Sequence, residues 1–128
     1  MKLRIEFNTQ KPDESGNVFS EQVIDEIIGS AKDAPVFLDY DSNPIGFIVS
    51  AKRSGFEVEL DAKLDETRTE TEFFERGFIV YSVSCMYRNM NFEQTGSTRL
   101  IKSAQLGSVI IEPGKKHPPQ GCTIFTIE

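Results

Sequence analysis

The sequence predicts an α+β fold: a mainly antiparallel, closed or nearly closed barrel-like β-sheet with two short helices. Three observations predict it. Apolar and polar residues alternate over several short segments that are separated by Pro, Gly and Asn turns. Helical spacing or helix-capping signals occur in only two places, near residues 20–32 and 68–76. The chain has 128 residues with 38% hydrophobic content, which suits one core and a single domain spanning 1–128.

Residues 2–7 (KLRIEF) alternate and predict a first strand. Asn8 to Asn17 is rich in Pro, Asp, Ser and Gly and predicts a loop. Ser20 is a suitable N-cap, Glu21 places a negative charge at the positive end of a helix, and Val23, Ile24, Ile27 and Ile28 share one face. Gly29 and Ser30 weaken its end, so the helix is placed at about 20–32. Pro35 to Tyr40 predicts a short strand, and Ile45 to Lys52 another after the Asn43-Pro44 turn. Arg53-Ser54-Gly55 reads as a hairpin turn. Phe56, Val58, Leu60, Ala62 and Leu64 then alternate with polar residues, which predicts a strand buried on one face.

Thr69 and Glu72 have capping-box spacing, Phe73 and Phe74 follow, and Gly77 suits a left-handed C-terminal cap, which predicts the second helix. Residues 78–88 predict an apolar strand, 89–97 a polar turn, and Arg99–Lys102 and Leu106–Glu112 two further strands. Pro113-Gly114 ends the second of these, and Cys122 to Ile127 return to a strand pattern after Pro118-Pro119.

Twenty acidic residues against fourteen basic ones give a net charge of -6. That balance points away from nucleic acid, whose binding needs clustered cations to displace counterions. Lys52-Arg53 and Lys115-Lys116 read as solvated surface. No apolar run approaches the ~20 residues a bilayer requires, so no membrane association is expected. No secretory segment follows Met1-Lys2-Leu3-Arg4, and the expected compartment is the cytoplasm. Cys85 and Cys122 lack metal-ligand spacing and only one histidine is present, so neither a metal nor a cofactor is expected. Cys85 lies in an apolar pattern and reads as a buried thiol, and a Cys85–Cys122 disulfide is disfavoured in a reducing compartment. Asp39 and Asp41, with Asp61 or Asp65, form a candidate cation set. No full oxygen-ligand loop is visible, and they read as turn and surface charges.

Several short motifs occur in a telling order. Gly16-Asn17-Val18-Phe19-Ser20 leads into the first helix, followed by Pro35-Val36-Phe37-Leu38-Asp39-Tyr40-Asp41, Pro44-Ile45-Gly46, Gly55-Phe56-Glu57-Val58 and Leu60-Asp61-Ala62. Gly77 with Tyr81-Ser82-Val83-Ser84, and Leu106 to Pro113, complete the series. Over roughly three quarters of the chain this order resembles the tailed-phage prohead (capsid maturation) serine proteases. The resemblance implies an assemblin-like β-barrel with surrounding helices and the cleavage of scaffold and coat segments in the immature capsid. It places Ser82 at the nucleophile position and Tyr40 at the histidine position. Gly107 stands where many relatives carry an acid, and Ser84 replaces a small glycine.

A serine hydroxyl needs an adjacent base, and a phenol titrating near ~10 replaces imidazole poorly at neutral pH. Without a base, Ser82 reads as a strand serine bonded to backbone, and Tyr40 as its packed, hydrogen-bonded neighbour on an adjoining strand. His117 is the sole imidazole and could serve Ser82, but Lys-Lys-His-Pro-Pro reads as an exposed loop. The expected function is that of a phage or prophage capsid-assembly protein. It would be a catalytically impaired binding or structural module for coat or scaffold protein, in the bacterial cytoplasm or the phage capsid, with homo-oligomerisation left open. The alternative is an active maturation protease with Ser82 as nucleophile.

Overall fold

Residues 1–7, 12, 16–38, 43–68, 81–113 and 126–127 are described by the structure, a computed structural model. The chain runs β1 (Lys2–Glu6), β2 (Asn17–Phe19), α1 (Glu21–Ser30), β3 (Pro35–Leu38), β4 (Gly46–Ser54), β5 (Glu57–Leu64), β6 (Tyr81–Thr95), β7 (Thr98–Pro113) and β8 (Thr126–Ile127).

Local sequence explains the regular elements. In β1, Leu3 and Ile5 turn inward while Lys2, Arg4 and Glu6 stay exposed, as a half-buried strand requires. Ser20 caps α1, its Oγ accepting from the Val23 amide at 3.2 Å, and Val23, Ile24 and Ile27 are each no more than 1% exposed. β4 and β5 form a hairpin whose turn is Gly55-Phe56, so Phe56 is an exposed turn residue and not the first inward position of β5. Gly46 opens β4 where no side chain fits: a Cβ there would run into the Lys63 carbonyl oxygen and lie 2.9 Å from Leu64 Cα.

β7 organises the sheet. β6 pairs with it antiparallel along nearly its whole length. The other edge is therefore shared by two parallel strands: β2 against Arg99–Ile101 and β3 against Val109–Ile111. α1, which joins β2 to β3, packs against β7. There Ser30 Oγ donates to the Ile27 carbonyl at 2.9 Å and accepts from the Leu106 amide at 2.8 Å. A side chain of the helix thus meets a backbone donor in the stretch that neither β2 nor β3 pairs. The sheet continues through β4, β5, β1 and β8, all antiparallel, and curls into a half-barrel. Its core includes Leu3, Ile5, Ile24, Ile48, Leu60 and Ile111, each at most 1% exposed and each contributing about 1.5–3 kcal/mol by burial. Phe19 links distant strands, with its ring 5.1 Å from Phe7 edge to face and 5.6 Å from Tyr87.

The expected α+β barrel, mainly antiparallel with two short helices and assemblin-like, is corrected on three points. The fold is mostly β, with one helix among the described residues. Its sheet is a half-barrel that includes two parallel pairings. Of the stretch read as a turn (89–97), only Gly96-Ser97 is turn; residues 89–95 and the stretch read as an interruption (103–105) are strand, so that β6 and β7 are fifteen and sixteen residues long. The physical reason is that the outer half of this ribbon is solvated. Its polar residues mark an exposed strand and not a break. The second helix, expected at 68–76, lies outside the described residues apart from Arg68, as do Thr69 and Glu72. A capping turn precedes them: Asp65 Oδ1 accepts from the Thr67 amide at 3.0 Å and from Thr67 Oγ1 at 2.6 Å.

Candidate functional site

Ser82 is the second residue of β6, and its backbone lies opposite Glu112 of β7. Tyr40 and His117 lie outside the described residues. The strand that leads to Tyr40 is β3, whose last residue, Leu38, is in register with Ile111; Ile111 is in turn opposite Val83. β3 and β6 therefore flank β7 and are not neighbours. The expected placement of Tyr40 beside Ser82 lies outside the described residues, because Tyr40 does.

Opposite Ser82 in the ladder stands Glu112, which the sequence does not single out. It is 7% exposed, the one buried acid among the described residues. The residue singled out for the absent acid, Gly107, falls elsewhere. It is the extra residue of a bulge opposite Met86 and Tyr87, and a Cβ on it would lie 3.1 Å from the Met86 carbonyl oxygen. A second bulge sets Asn89 (φ +53) and Met90 of β6 against Ala104 alone. The one hint of Glu112 in the sequence is that alternation fails just before it: Val109-Ile110-Ile111 is a continuous apolar run, as in a strand covered on both faces.

The remaining polar clusters are structural. A cleft of about 390 Å³ is lined by Arg4, Lys52, Arg53, Ser54, Glu57 and Glu59. Its charges are matched: Arg4 lies 3.2 Å from Glu57, and Lys52 lies 3.7 Å from Glu59, which Lys2 also approaches at 3.4 Å. Arg53 reaches the start of α1, with Nη1 2.8 Å from Asp25 and Nη2 2.9 Å from Glu21. The hydrogen bond that Arg53 donates to Asp25, with the charges of Asp25 and Glu21, raises the guanidinium pKa further. The Asp65 carboxyl is held below the usual carboxylate value, chiefly by the Thr67 hydroxyl and amide. Asp65 is thus a turn residue, as the sequence reading had it, while Asp39 and Asp41 lie outside the described residues. Cys85 is buried in β6 opposite Val109, whereas Cys122 lies outside them.

Among the described residues no group of three His, Cys, Asp or Glu side chains is placed to hold a metal, and no helix is long and apolar enough to cross a membrane. Compared with known protein families, curated proteins and solved structures, the chain gives no match.

Proposed function

We propose that this chain is a non-catalytic binding or structural module of phage or prophage capsid assembly, acting on coat or scaffold protein in the bacterial cytoplasm or the capsid. The observation that carries the reading is Tyr40 in Pro35–Asp41, at the place where the resembling proteases hold their histidine. A serine without an acceptor for its proton loses orders of magnitude in rate. The long, half-exposed β6–β7 ribbon supports a binding role, since it offers extended backbone and the exposed side chains of Met86 and Phe92.

The test sets wild type beside Ser82→Ala and His117→Ala, using cognate coat and scaffold proteins and a serine-reactive fluorophosphonate. The expected result is stable binding with neither cleavage nor labelling in any of the three. Cleavage lost in both variants makes His117 the base and the chain an enzyme. Cleavage lost in Ser82→Ala alone makes it an enzyme with another base. Tyr40→His by itself is expected to leave it inactive.

A further inference from the structure

We propose that this chain self-associates through β6, two copies pairing these strands antiparallel about a two-fold axis at Asn91. The inference rests on β6 alone and stands or falls apart from the capsid reading.

β6 is a fifteen-residue strand bonded along one edge to β7, and among the described residues no strand occupies its other edge. Open edges of this length template pairing with another chain unless proline, lysine or inward charges blunt them. YSVSCMYRNMNFEQT contains no proline and no lysine, and its only charges are Arg88 and Glu93. Both are exposed, and both lie on the solvent face. Their chain neighbours Tyr87 and Phe92 sit opposite the buried Leu106 and Ile101, which assigns Tyr87 and Phe92 to the core face and Arg88 and Glu93 to the other.

The bulge selects the register and the occupant. By residue number, Arg88 is three positions from Asn91 and Glu93 only two. Asn89 and Met90 together occupy one position of the ladder, opposite Ala104, so Arg88 and Glu93 become equidistant from Asn91. A two-fold at Asn91 therefore sets Arg88 of each copy against Glu93 of the other, on the same face. Because the contact is isologous, the ion pair forms twice. A two-fold at Arg88 would instead oppose like charges, which is unfavourable for directly facing residues. The chosen register also brings Phe92, 45% exposed in the single chain, against the Asn89-Met90 bulge of the second copy. Glu93 already lies 3.5 Å from Lys102 of its own chain, so Arg88 of the second copy joins that pair as a further cation on the same exposed carboxylate, and a second copy is the occupant whose charges fit.

Sedimentation and light scattering across a concentration series test this, with far-UV circular dichroism to verify folding. Wild type is expected to dimerise. Arg88→Glu and Glu93→Arg each place like charges across the two-fold twice, and each should weaken dimerisation by about tenfold or more. An equimolar mixture of the two variants should form a heterodimer with affinity near wild type, because both cross pairs are again opposite in sign. The doubly exchanged chain should likewise recover. Wild type that stays monomeric at the highest attainable concentration overturns the proposal, including the case in which β6 binds only an unrelated protein strand. A dimer unmoved by the single reversals, or a mixture showing no recovery, also overturns it.

Discussion

Replacing Ser30 with alanine removes one oxygen that serves two elements. Its Oγ accepts from the Leu106 amide at 2.8 Å and donates to the Ile27 carbonyl at 2.9 Å. Leu106 is 1% exposed, so water does not readily replace the lost acceptor. A buried amide left without a partner costs about 1–3 kcal/mol. Alanine returns about 0.5 kcal/mol through its better helix propensity at the last turn of α1. The net expected loss is therefore about 0.5–2.5 kcal/mol. In urea denaturation followed by circular dichroism this appears as a lower midpoint with an unchanged slope, because the surface exposed on unfolding hardly changes. Gly29→Ala is the internal control. A Cβ at Gly29 meets nothing within 4 Å, so the neighbouring change should stabilise by about 0.5–1 kcal/mol. An unchanged midpoint for Ser30→Ala, alongside the expected gain for Gly29→Ala, would refute the claim that this hydroxyl completes the β7 edge.

Three further outcomes are expected. Gly46→Ala forces a Cβ against the Lys63 carbonyl and Leu64 Cα and should cost more than about 3 kcal/mol, read as loss of soluble folded protein or a large midpoint shift. The depressed Asp65 carboxyl contributes stability that is present above the unfolded carboxylate pKa of about 3.9 and is lost as pH falls through the lower folded value. Asp65→Ala should therefore reduce the difference in stability between neutral and strongly acidic pH, measured as urea midpoints across that range. Arg53→Ala should destabilise less than Ser30→Ala, and its effect should shrink in high salt, because Glu21 and Asp25 are largely exposed. For the Arg53 guanidinium, with a raised folded pKa, the contribution is present below the unfolded value wherever Asp25 and Glu21 are ionised, so solutions around neutral pH should show no titration of it.

What could be read from the sequence is what local chemistry decides. α1 was legible because Ser20 caps it and Val23, Ile24 and Ile27 share a face, and it ends at Ser30 where the weakening residues stand. β1 and β5 were legible from alternation and β4 from the Asn43-Pro44 turn before it, with Phe56 misplaced by the turn's one-residue offset. β2 was not legible, because three residues carry no period and their partner lies some eighty positions away. Of the site residues, Ser82 and Tyr40 came from motif order and His117 from being the sole imidazole, and one of them, Ser82, lies on a described strand. Its partner could not have been counted out. Thr95 faces Thr98 at the turn, and a regular ladder from there would set Ser82 against Ile111; the bulges shift the match by one, to Glu112. A one-residue slip exchanges the faces of a strand, so the buried acid stayed hidden from any argument based on period two.

The shared edge of β7 also dictates an order of folding. β4 with β5 and β6 with β7 close through short turns, so their loop-closure cost is small. β2 and β3 instead pair with Leu100 and Ile111, residues more than seventy positions further along the chain. During synthesis β3 can join β4 as soon as that strand emerges, whereas β2, and the seat of α1 on β7, have no partner until β7 exists. The helix's apolar face of Val23, Ile24 and Ile27 must wait for that seat. Such long-range parallel pairing places the chain among slow folders, on the millisecond-to-second scale, with the two hairpins formed before the helix finds its seat.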